Sequence, residues 1–251
     1  MITLAKSQPD NRLLALLEKA VSLGASDLHL SALSTPFLRV HGRLQPDDCA
    51  QLSAQDVLEI ASSIMNARQR EAFETQQSLD LAYSLPGGQR FRINVFRERN
   101  GVAIAARRLD DTFRSFEELQ LPATLGRFSE LRDGLVLVTG PTGSGKTTTL
   151  ATLINRINCT RSCHILTVED PIEYVHCNQQ SLVRQREVYT DVPSFADAVR
   201  ASLREDPNVV LVGEMRDLET MRAAIALAET GHLVFSTLHC GNAVGALDRL
   251  V

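Results

Sequence analysis

Leu13, Leu14, Leu17, Val21 and Leu23 recur at three- and four-residue intervals, which predicts an amphipathic helix over residues 10–24 that Gly24 stops. The period then shortens to two. Asp27-Leu28-His29-Leu30 and Phe37-Leu38-Arg39-Val40 read as strands. Ser53 is a suitable N-cap for a second helix from Ala54 to about Phe73. Two strands follow, around Leu79–Leu85 and Arg90–Phe96, with Phe91, Ile93 and Val95 on one face of the latter. Asn100-Gly101 is a strong two-residue turn leading into a strand at Val102–Leu109. Centred there, the turn sets Asn94 opposite Arg107 and puts Arg92 and Arg107 on one polar face.

Polar residues Asp110 to Ser115 break this pattern, so a linker is expected over 110–117, between an α+β domain at 1–109 and a second domain at 118–251. In the second domain, strand and helix signals alternate. Strands are expected at Leu135–Thr139, His164–Val168, Val209–Val212 and Leu233–Thr237. Helices are expected from Lys146, over Phe195–Arg204 and over Leu218–Thr230, and Ala243–Val251 reads as an uncapped helix. That rhythm predicts an α/β domain with a mostly parallel sheet covered by helices on both faces.

Composition narrows the classes further. The 251 residues are 44% hydrophobic and 22% charged with a net charge of −4, an ordinary globular balance without the basic excess of a nucleic-acid binder. No apolar run approaches the ~20 residues of a membrane helix, and Met1 to Lys6 do not resemble a signal peptide. Cys49, Cys159, Cys163, Cys177 and Cys240 are scattered and odd in number, as expected of reduced thiols in a cytoplasmic protein. Cys159, Cys163 and His164 lack a second ligand pair at zinc spacing.

The most specific signal is Gly140-Pro141-Thr142-Gly143-Ser144-Gly145-Lys146-Thr147, a complete G-x-x-x-x-G-K-[ST] loop between a strand and a helix, with Thr148 next. Its glycines let backbone N–H groups curl around phosphates, and the helix N-terminus adds partial positive charge. Lys146 supplies a point charge to the β- and γ-phosphates, and the Thr147 hydroxyl can ligate Mg²⁺. Leu85-Pro86-Gly87-Gly88-Gln89 has the look of a transporter signature but precedes the loop, and reads as a turn.

Three acidic or histidine clusters recur at later strand ends: Thr167–Tyr174, Val209–Asp217 and Glu229–His239. With Gly24–Leu30, Arg90–Asn94 and Arg204-Glu205-Asp206-Pro207, they make the chain resemble the secretion-superfamily ATPases of type IV pili and type II secretion. Within these it is most similar to the twitching-motility retraction motors (the PilT-like branch). The resemblance implies a PAS-like N-terminal domain followed by a RecA-like P-loop domain, and ATP with Mg²⁺ as substrate and metal. It implies that Glu173 polarises the attacking water and that Glu214, as the Walker B acid, supports the metal. Gly213 stands where many P-loop enzymes place a metal-holding Asp, so Thr147 carries more of that duty. His232 and His239 are implied to sense the γ-phosphate, and Arg92 and Arg107 to reach the nucleotide when the domains close. Arg186 and Arg204 are further candidates for contacts between domains or subunits.

As a whole the resemblance implies a homohexameric ring in the bacterial cytoplasm, docked on an inner-membrane platform protein and without direct nucleic-acid contact. Members continue past Val251, so a C-terminally truncated chain is expected. Pilus extension, type II secretion and conjugative transfer are the alternative duties. A non-catalytic subunit is a third class, opposed by the intact Lys146, Thr147, Glu173 and Glu214.

Overall fold

The computed structural model describes residues 9–110, 112–238, 240 and 243–250. The chain divides into two compact units, Met1–Asp110 and Asp111–Val251.

The first unit contains α1 (Asn11–Ser22), β1 (Asp27–Leu30), β2 (Phe37–Val40), β3 (Arg43–Pro46), α2 (Ala54–Ile64) and α3 (Ala67–Gln76). The chain then runs through β4 (Ser78–Ser84), β5 (Arg90–Glu98) and β6 (Gly101–Arg108). Its sheet is antiparallel throughout, in the order β3-β2-β1-β6-β5-β4. Alternation decides which face is covered. Leu28, Leu30, Leu81, Phe91, Ile93, Val95 and Ile104 are almost fully buried, as are Leu13, Leu17, Val57 and Ile60 of the helices. The opposite face carries Arg39, Asp27, Arg107 and Arg92 as successive cross-strand partners in one row. Arg107 and Arg92 stand directly opposite each other, an unfavourable pairing of like charges. Carboxylates offset it: Arg107 Nε donates to Asp27 Oδ1 at 2.9 Å, and Arg92 Nε to Asp80 Oδ1 at 3.2 Å.

Two local expectations need correction. The helix expected over Ala54–Phe73 is two helices. Met65 is extended, and Asn66 caps α3 by accepting from Gln69 N–H while the Gln69 side chain accepts from Asn66 N–H. The hairpin loop is Arg99-Asn100, because Glu98 already pairs with Gly101. Gly101 opens β6 at φ +131°, a conformation closed to L side chains, so the glycine serves the strand entry rather than the turn. The register therefore moves by two, which preserves the shared face of Arg92 and Arg107. The segment after Leu85 is a turn, with Gly88 N–H donating to Leu85 O.

The second unit contains a 3₁₀ helix (Ala123–Glu130), β7 (Gly134–Thr139), α4 (Lys146–Thr160), β8 (His164–Glu169) and β9 (Leu182–Glu187). It continues through α5 (Phe195–Ser202), β10 (Val209–Val212), α6 (Leu218–Glu229), β11 (Leu233–Leu238) and α7 (Ala243–Leu250). The five strands are all parallel, in the order β7-β11-β10-β8-β9. Strand β9 and the short β3 were not expected, and β9 is a polar edge strand. On one sheet face Ile165, Val209, Leu211, Leu233 and Phe235 pack with Leu150, Leu153, Ile154 and Ile157 of α4. On the other, Leu166, Val210, Val212, Val234 and Leu238 pack with Val199 of α5 and Met221, Ala224 and Leu227 of α6. Successive residues of one strand thus enter opposite cores, which makes the central strands continuously apolar. Phe116 packs against the α4 side.

The Asn66 cap gives a direct stability test. Asn66→Ala is expected to lower unfolding free energy by about 1 kcal/mol in chemical denaturation. A change within a few tenths would show that the break at Met65 does not depend on this cap.

Candidate functional site

A parallel sheet delivers its loops to one edge. The register Thr139 to Leu238, Val212 to Ser236 and Val168 to Val212 brings the loops after β7, β8 and β10, and the end of β11, to the C-terminal edge of the second unit.

The loop after β7 wraps toward α4. Gly140 sits at φ +153°, and a Cβ there would lie 2.7 Å from Ser144 Oγ, so the turn closes too tightly for a side chain. Gly145 caps α4 in the left-handed region with no side-chain bond, leaving the helix entrance to backbone N–H groups. Lys146 is buried, and its Nζ donates to Gly140 O at 3.0 Å and Pro141 O at 2.9 Å. The ammonium therefore lies inside the loop rather than in solvent. Thr148 Oγ1 accepts from the Tyr174 hydroxyl at 3.2 Å, tying the helix to the loop after β8.

Thr147, Leu150, Ala151, Glu169, Tyr174, His176, Leu211, Gly213 and Thr237 enclose a small cavity of about 20 Å³. That is room for one water molecule. Glu169 is buried there. Its Oε1 accepts from Thr167 Oγ1 at 2.7 Å and Gln185 Nε2 at 3.2 Å, and its carboxyl also takes the Glu173 backbone N–H. Burial outweighs these bonds and pushes its pKa up to about 7. Burial likewise lowers His176 to about 4, keeping the ring neutral beside Phe113 at a centroid distance of 4.6 Å.

The other expected residues fall in different places. Glu173 is half-buried in the loop between β8 and β9. Glu214 does not line the Thr147 cavity; it lines a neighbouring cleft with Asp170, Asp217 and Thr220, where Arg216 Nε binds its Oε1 at 2.7 Å. His232 does not join the loop at all. It precedes β11, whose first residue pairs with Gly134, so it lies at the N-terminal edge, roughly 17 Å of strand away. There its Nδ1 lies 3.0 Å from Leu227 O at the end of α6. His239 lies outside the described residues. Arg92 and Arg107 belong to the first unit. Arg186 pairs with Glu205, and Arg204 is exposed after α5. No cluster of three or more His, Cys, Asp or Glu able to hold a metal occurs among the described residues, and none of their helices is long and apolar enough to cross a membrane.

Glu169, Gln185, Tyr174 and His176 were not singled out beforehand. Glu169 carried a sequence signal, since it ends a buried strand three positions upstream of Ile172-Glu173. Gln185 carried none, because β9 lacks an apolar period.

A family model described as "Type II/IV secretion system protein" matches residues 4–251. The chain belongs to that family. Among this family member's relatives is the "Type IV pilus retractation ATPase PilT" of Pseudomonas aeruginosa, 47% identical over 236 residues. That alignment covers 94% of this chain and 69% of the relative. The "Twitching motility protein" of Neisseria gonorrhoeae is 48% identical over 220 residues, covering 88% and 59%. Among solved structures, the pilus retraction motor PilT with bound ADP matches with a TM-score of 0.85 at 47% identity, covering 95% of this chain and 70% of that one. The ATPase DotB of Legionella pneumophila matches with a TM-score of 0.87 at 31% identity, covering 98% and 71%. The chain thus spans about 60 to 70% of the length of these relatives.

Glu169 generates a pH prediction. Its folded pKa lies above the ordinary value of 4.5, so its favourable contribution is complete below about 4.5 and is lost as pH rises through about 7. The opposite shift of His176 acts in both the parent and a Glu169 variant and cancels in their difference. Glu169→Gln is expected to gain thermal stability relative to the parent as pH rises from 5 to 8. An unchanged difference in melting temperature would contradict the burial argument.

Proposed function

We propose that this chain is the nucleotide-hydrolysing part of a type IV pilus retraction motor. The observation that carries this reading is its 47% identity, with an intact phosphate loop, to a retraction motor whose structure holds ADP. The retraction branch is favoured by identities of 47 and 48%, against 36 to 38% for the type II secretion E proteins.

The reaction is ATP + H₂O → ADP + phosphate. In this reading residues 118–251 form a RecA-like domain, 1–109 a PAS-like one, and 110–117 the linker. Lys146 leaves the two loop carbonyls and binds the β- and γ-phosphates, while backbone N–H groups around Gly143 and Gly145 take the remaining oxygens. Glu173 orients the attacking water and accepts its proton. The Thr147 hydroxyl, at the start of α4, would hold Mg²⁺. Mg²⁺, when bound, neutralises charge on the phosphates. Glu214, held by Arg216 in the loop after β10, would support the metal, and His239 senses the γ-phosphate. Arg92 and Arg107 neutralise the transferred phosphoryl when the domains close.

The chain acts in a homohexameric ring in the bacterial cytoplasm, peripheral to the inner membrane through a platform protein and without direct nucleic-acid contact.

Lys146→Ala is expected to abolish hydrolysis with Mg²⁺ present, and retained full turnover would sink the site assignment. Turnover that rises with protein concentration as light scattering reports hexamers supports the ring, whereas full turnover by a monomer contradicts it. In a bacterium lacking its retraction motor, the gene for this protein is expected to restore twitching. Restored secretion or pilus extension instead would assign it to another branch.

A further inference from the structure

The segment that carries Glu173 belongs to no helix or strand, so its backbone groups need partners from elsewhere. Side chains of β8 and β9 supply them. Glu187 Oε2 accepts the Ile172 N–H at 3.1 Å, and the Glu169 carboxyl accepts the Glu173 N–H. Gln185 does more. Its Nε2 donates to Tyr174 O at 2.8 Å and to Glu169 Oε1 at 3.2 Å, and its Oε1 accepts the His176 N–H at 2.7 Å. Both amide hydrogens and the amide oxygen are therefore engaged, on the loop and on the carboxylate that holds the loop.

The placement follows from the register. Gln185 pairs with Thr167 and Glu187 with Glu169, so the two β9 side chains lie two residues apart on one face, toward the loop. They grip it on either side of Glu173. No other residue type at 185 offers two donors and one acceptor at this reach without a charge beside the Glu169 carboxylate.

We propose that Gln185 is a positioning residue for Glu173: it fixes the loop after β8 so that the Glu173 carboxylate meets the attacking water. The proposal rests on the reading of Glu173 as the base. Gln185 acts through the loop, its bonds going to Tyr174, His176 and Glu169, so its loss lowers turnover more than it weakens nucleotide binding.

The test uses the full chain. Gln185→Met keeps the length of the side chain and removes all three bonds. It is expected to lower kcat at least tenfold with KM for ATP within twofold, and to speed amide hydrogen exchange over 172–176 by tenfold or more. Arg184→Gln, on the opposite face of β9, is expected to leave both unchanged. Glu173→Gln provides the decisive background. There, in single turnover, adding Gln185→Met is expected to cost less than twofold, because a positioning residue has nothing left to position.

An unchanged kcat with unchanged exchange overturns the proposal. An equal tenfold loss in both backgrounds also overturns it, since that is the mark of general damage to the fold. Glu173→Gln turning over at the parent rate removes the reading of Glu173 and the proposal with it. An inactive Glu173→Gln beside a fully active Gln185→Met removes the proposal alone. Should Gln185→Met fail to fold, Gln185→Asn, too short to hold all three partners, carries the same expectations.

Discussion

Everything in the second unit depends on five strands pointing the same way with apolar residues on both faces. Because Val209 and Leu211 enter one core while Val210 and Val212 enter the other, β10 cannot slip by a residue without exchanging its two sets of partners. That rigidity fixes which residues end each strand. It sets Gly140, Glu169 and Gly213 along one edge, although up to 73 positions separate them in the chain. The chemistry of the edge is local, whereas its assembly is a property of the whole core.

The first unit solves a different problem. Its antiparallel sheet has one face buried under helices, and the other holds charge in a row. Asp27 is nearly buried beneath Arg39 and Arg107, and Asp80 answers Arg92. Three guanidinium groups are thus concentrated on a flat surface with two carboxylates among them. Carboxylate partners of this kind hold the arginines in defined orientations rather than leaving them free in solvent.

Much of this was legible in the chain itself. The phosphate loop needed neither a core nor a partner to be recognised, because its residue types state their chemistry in sequence order. The alternating strands of the first sheet and the continuous apolar runs of the second were legible for the same local reason. What escaped depended on partners far away. Strand β9 is polar because it is an edge whose side chains serve a neighbouring loop, so no hydrophobic period marks it. The break at Met65 was written in Asn66 and Gln69, a capping pair that side-chain periodicity alone does not reveal. His232 immediately precedes a six-residue strand that leads toward the phosphate-loop edge, so it starts at the opposite edge of the sheet.

The bonds from Lys146 to its own loop have a consequence for recognition. Arrival of a ligand is an exchange of partners rather than capture of a free cation, because two carbonyl bonds must be surrendered as phosphate bonds form. Bonds of equal number nearly cancel, so the net gain comes from replacing neutral oxygens with anionic ones. An anionic group therefore gains more at this ammonium than a neutral one does. The two bonds also spare the loop a stranded buried ammonium.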